Sequence, residues 1–212
     1  MFQNEAELES WKNTFPDPST SPAHYATTLD VACSSVVTAA DAEAGGWIRG
    51  FSRVVRLEVG NRLCEDETKI SLVPLHGLSP VVKSLCMYSN GLPPPRTFDL
   101  ALSFPLLEDL TVVSYFGPLA GDNDSSDRPA VQPLNSPAFT GSLKLSRGGV
   151  KRTARQLVSL PGGIHFRKLS LTQFYKNDLS LITGLVEGCS HTLESLDVEH
   201  SFGTTVQYLR PC

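Results

Sequence analysis

One pattern constrains this chain more than any other: an apolar residue, two others, a leucine, one other and a second apolar residue. It recurs six times, around Leu29, Leu57, Leu85, Leu110, Leu169 and Leu196, and nowhere else. A partial copy at Leu143 and Leu145, with Thr140 where the first apolar residue would stand, fills the one wide gap. The seven leucines lie 28, 28, 25, 33, 26 and 27 residues apart. In a chain with 28 leucines the matches alone mean little. Their even spacing carries the meaning, because a fixed period of this size marks stacked supersecondary units.

Each copy reads as a short strand: Val54, Leu57 and Val59; Val82, Leu85 and Met87; Leu107, Leu110 and Val112; Phe166, Leu169 and Leu171; Leu193, Leu196 and Val198. Alternation with period two puts the leucine and the next apolar residue on one face. Between the strands, residues 177–189 read as an amphipathic helix. Asn177 or Asp178 would cap it, Leu179, Ile182, Leu185, Val186 and Cys189 would share a face, and Gly188 would end it. Residues 36–50 and 153–160 read as helical or irregular returns, with Gly45 and Gly46 weakening the first. Pro74, Pro80, Pro93 to Pro95 and Pro105 favour loops or single turns elsewhere. The expected architecture is an α/β solenoid of about seven irregular repeats. Its curved parallel sheet would carry short helices and loops on the convex side, and neighbouring units would supply each other's core.

Nothing in the composition divides the 212 residues into separate parts. Residues 1–25 read as a lead-in or cap and 26–212 as the repeat array, with a Gly-, Pro-, Asp- and Ser-rich loop inserted at 117–137. A net charge of −4 gives no reason to expect nucleic acid. No apolar run approaches the ~20 residues that cross a bilayer, so no membrane is expected. The start of the sequence is acidic and lacks the apolar stretch of a secretory signal. Five scattered cysteines suit a reducing compartment, cytoplasmic or nuclear.

No reaction centre emerges. Asp122, Asp124 and Asp127 lack the glycine and distant glutamate of a calcium loop and read as a solvated loop. Cys189, His191, His200 and Cys212 lack zinc-ligand spacing, and Cys189 falls on the apolar face of its helix. Cys33, Cys64 and Cys86 have no nucleophile context. The basic run from Arg147 through Gly148, Gly149, Val150, Lys151 and Arg152 to Arg155 is not a phosphate-binding loop. It reads as a solvated turn entering a helix. No metal, no cofactor and no catalysis are expected.

Recognition would instead occupy the open face of the sheet, made by the residues flanking each leucine. These are Thr28 and Asp30, Arg56 and Glu58, Ser84 and Cys86, Asp109 and Thr111, Ser142 and Lys144, Lys168 and Ser170, and Ser195 and Asp197. Tyr88, Val113 and Glu199 should extend it by one alternation. The expected protein-binding set is Asp30, Arg56, Glu58, Ser84, Tyr88, Asp109, Thr111, Lys144, Lys168, Ser170, Asp197 and Glu199. Its mixed signs suit a protein with a matching charge pattern better than a polyanion.

Several segments resemble a known family. They are Trp11–Pro18 with Ser21–Tyr25, Val36–Glu43, Gly45–Ile48, Phe51–Val55, Leu106–Leu110 and Leu193–Val198. Together they look like the irregular leucine-rich-repeat region of F-box-like proteins of mushroom-forming (basidiomycete) fungi. That resemblance implies a substrate-recruiting array of a ubiquitin ligase adaptor, which in complete members follows an F-box docked onto a cullin-type ligase. No F-box-like segment is found ahead of the first repeat, so a Skp1-like adaptor is expected only if a longer product carries one. The asparagine that commonly follows the strand of such repeats occurs only at Asn90. The segment Leu209–Cys212 follows the last strand without a recognisable capping unit, leaving an open edge as the expectation. The alternative is a free-standing scaffold or inhibitor with no role in ubiquitin transfer.

Overall fold

The computed structural model describes residues 5–17, 19–32, 47–60, 75, 78, 81–89, 94–114, 137, 139–146, 150–174, 178–200 and 205–209. One sheet runs through them in strict chain order. Seven strands are mutually parallel: β1 (Thr28–Ala32), β2 (Arg56–Gly60), β3 (Ser84–Ser89), β4 (Asp109–Ser114), β5 (Ser142–Ser146), β6 (Lys168–Phe174) and β7 (Ser195–His200). An eighth, β8 (Thr205–Leu209), returns antiparallel to β7. The helices are α1 (Glu5–Thr14), α2 (Pro94–Leu102), α3 (Val150–Val158) and α4 (Leu179–Gly188), with 3-10 turns at Pro22–Tyr25 and Trp47–Gly50.

The register follows the leucines. Leu29 lies opposite Leu57, and the row continues through Leu85, Leu110, Leu143 and Leu169 to Leu196. Val31, Val59, Met87, Val112, Leu145, Leu171 and Val198 form the next row on the same face. From Leu57 to Leu143 the leucine row is completely buried. Each such side chain contributes about 1.5–3 kcal/mol of transfer free energy. Consecutive parallel strands need a crossover between them. α3 packs against both α2 and α4, while Leu157, Ile182 and Leu185 join the strand leucines in one core.

A repeated backbone device ties each rung to the next. The carbonyl two residues before a leucine accepts two N–H groups from the following rung. Thr27 receives Val55 and Arg56, Val55 receives Lys83 and Ser84, and Lys83 receives Glu108 and Asp109. Gly141 likewise receives Arg167 and Lys168, and Arg167 receives Glu194 and Ser195. The rung across the longest interval departs from this. Glu108 accepts the Gly141 N–H, but the Ser142 N–H donates to Asp109 Oδ1 at 2.6 Å, as does the Ser142 hydroxyl at 2.6 Å. That wedge requires glycine at 141, where a Cβ would lie 2.5 Å from the carboxylate and 2.9 Å from the Glu108 carbonyl oxygen.

Several expectations need correction. Pro94 and Pro95 begin a helix instead of a loop, since the first helical turn needs no N–H from them. Val150, Lys151 and Arg152 form the first turn of α3, not a turn leading into it. Helix α4 ends at Gly188 as expected, but Asp178 caps it by position only, with no side-chain cap hydrogen bond. The parallel edge after β7 is not open, because β8 pairs with it. The missing apolar residue at Thr140 is supplied by its neighbour. Phe139 adopts a positive φ of 44° and is fully buried, its ring 5.2 Å from that of Phe166, while Thr140 stays exposed. Of the return expected at 36–50, only the turn at Trp47–Gly50 is described. The 117–137 insertion lies outside the described residues except for Pro137, which is buried.

Candidate binding face of the sheet

The face opposite the core is a grid. One row runs Thr28, Arg56, Ser84 and Asp109, and resumes as Ser142, Lys168 and Ser195. The next runs Asp30, Glu58, Cys86, Thr111, Lys144, Ser170 and Asp197. In the third, Tyr88 lies opposite Val113, Val113 opposite Ser146, Ser146 opposite Thr172, and Thr172 opposite Glu199. Strands about 4.8 Å apart set the spacing along each row. All twelve expected binding residues lie on this face, and each is exposed or half-exposed.

Their chemistry is uneven. Arg56 and Glu58, two residues apart on β2, close on each other at 2.9 Å, so this pair presents little net charge. Asp109 is spent on Ser142 and acts as a joint of the backbone. Cys86 departs from the expectation, being 6% exposed. Burial pushes its thiol up, against a hydrogen bond with Tyr88 that lowers it; Glu58, Arg56 and Lys144 add smaller opposing effects. A thiol that stays protonated is a poor nucleophile, so Cys86 serves the face as a small apolar group. With Tyr88, Thr111 and Val113 it makes an uncharged centre over β3 and β4. Lys144 and Lys168 are exposed on β5 and β6, and half-exposed Asp197 and Glu199 follow on β7.

Away from the sheet, Cys189 is core, 1% exposed, and its thiol is also raised by burial. Among the described residues no group of three or more His, Cys, Asp or Glu side chains could hold a metal ion. No helix among them is long and apolar enough to cross a membrane. A shallow depression of about 340 Å³ lies between the two 3-10 turns, lined by Ser19, His24, Arg49, Gly50 and Ser52. Its residues come from separate turns with no shared spacing, so no sequence motif announces it. No family model, curated protein or solved structure matches the chain.

Proposed function

We propose that the chain is an irregular leucine-rich-repeat solenoid that recognises a protein through the open face of its parallel sheet and catalyses nothing. The observation that supports this most is the asymmetry of the sheet. One face is sealed by leucines in continuous register, and the other carries polar side chains of both signs across seven strands. An extended face carrying both signs favours a protein with the complementary pattern. By its resemblance to fungal F-box-like repeat regions, the array is the substrate-binding part of a ubiquitin ligase adaptor. A free-standing scaffold or inhibitor uses the same face, and co-purification of a Skp1-like adaptor with any longer product separates the two.

The test reverses Lys168 and Asp197 together (Lys168→Glu with Asp197→Lys) and compares what the two forms retain from native cells. Among the described residues neither side chain has an ion pair to lose, so stability should change by no more than an ordinary surface substitution does, about 0.5 kcal/mol. Partner retention should fall. A variant that melts early would show these side chains to be structural, and undiminished retention would remove the face from recognition.

A further inference from the structure

The charges on the binding face divide into those already satisfied and those left open. Arg56 meets Glu58 at 2.9 Å, and Asp109 holds Ser142. Among the described residues the side chains of Lys144, Lys168 and Glu199 make no hydrogen bond or ion pair, and that of Asp197 has only a long 3.5 Å contact from the Ser170 hydroxyl. Four of the open charges lie together on three adjacent strands, two cations followed by two anions, while Asp30 lies apart on β1.

Register fixes their separation. Lys144 lies opposite Ser170, and Ser170 opposite Asp197, so about 10 Å separates the Lys144 and Asp197 backbones. Lys168 lies two residues from Ser170 on the same strand, about 8 Å diagonally from each of them. Ser170 and Thr172 floor the gap. A ligand carrying both signs in the opposite order would satisfy all four groups at once.

We infer that this face takes a polypeptide segment presenting an acidic side chain to Lys144 and Lys168 and, next along, a basic side chain to Asp197 and Glu199. The inference rests on the protein-recognition reading above and names its partner's chemistry. In an extended peptide, side chains on one face recur about every 6.6 Å, and long charged side chains on both partners span the remainder of the roughly 8–10 Å between Asp197 and the two lysines. The uncharged centre at Cys86, Tyr88 and Val113 adjoins the lysines, so an apolar side chain precedes the acidic one. A nucleic acid fits poorly, since its phosphates would meet Asp197 and Glu199 in the same footprint. A lone small anion would engage the lysines and leave both carboxylates without a partner.

The test displays random peptides of about ten residues, long enough at ~3.3 Å each to cross the sheet, and selects on the whole chain. Enriched peptides should carry an acidic residue followed within two or three positions by a basic one. Lys168→Glu or Asp197→Lys should each weaken a selected peptide by about tenfold. Reversing all four charges should restore binding to the same peptide with its two signs exchanged. Should that variant not fold, Lys168→Gln and Asp197→Asn carry the test by removing charge alone. Enrichment of one sign only, of no peptide, or of peptides indifferent to the four residues overturns the inference. Peptides that depend on Arg56 or Tyr88 instead would leave protein recognition standing and move its site. If cell-derived partners also ignore every residue of the face, the broader reading falls with it.

Discussion

The two ends of the sheet hold the same leucine row under different cover. At the β1 end Leu29 is 2% exposed and Val31 fully buried, although among the described residues only one strand adjoins them. There α1 and the two 3-10 turns bring Trp11, Trp47 and Ala23 against the core, with Trp11 stacked 6.2 Å from Phe51. At the β7 end Leu193, Leu196 and Val198 are only half-buried, although β7 has a strand on both sides. A neighbouring strand satisfies the backbone; it does not cover the side chains. In a stacked array the pattern decides which face a residue takes, and the adjoining layer decides how dry that face becomes.

The largest effect should come from the interior, where both conditions hold. Leu110 is fully buried between Leu85 and Leu143. Leu110→Asp would place a carboxylate there without a partner, a cost of several kcal/mol against a total stability of about 5–15 kcal/mol. The cooperative thermal transition should disappear. Persistence of a native melt would show that the leucine row is not a continuous core.

At the ends the effects should be smaller and unequal. Trp11→Ala removes the ring that spans α1 and Phe51, and should cost about 2–3 kcal/mol, less than a fully buried tryptophan would. Leu196→Ala should cost about 1–2 kcal/mol, because much of that side chain already meets solvent. Urea unfolding of both variants gives the order directly. If Leu196→Ala proves the costlier, the β7 end is closed as tightly as the β1 end and the contrast fails.

The sequence made the rungs legible because a two-residue alternation repeated at a steady interval leaves few ways to pair strands. Leu57, Leu85 and Leu110 are legible from spacing alone, and with them the face carried by Arg56, Lys144, Lys168 and Asp197. Three kinds of feature escaped it. Helix α2 was hidden because prolines at a helix start look like loop residues. The joint between Asp109 and Ser142 was hidden because a carboxylate on a strand looks like any exposed acid, and its partner lies 33 residues away. The fully buried Phe139 was hidden because its position depends on a backbone angle that ordinary alternation excludes.

Gln173 shows the same principle on a smaller scale and gives the finest test of what shapes the β7 end. It has a φ of 59°, in the left-handed region, and lies at the register shift between Thr172 and Phe174. Strict alternation would send Phe174 to the open face, beyond Thr172; the extra residue turns it inward, where it is 4% exposed. Glycine adopts that angle without the roughly 1–2 kcal/mol cost carried by other residues, but loses about 0.5–1 kcal/mol through its freer unfolded chain. Gln173→Gly should therefore lie between no change and about 1.5 kcal/mol on the stabilising side of the parent. Gln173→Val, branched at Cβ and poorly tolerated at positive φ, should lose more than about 1 kcal/mol. Chemical denaturation of the pair reads the difference. If glycine and valine behave alike, the bulge is not what holds Phe174 in the core, and the last interior rung is shaped by packing alone.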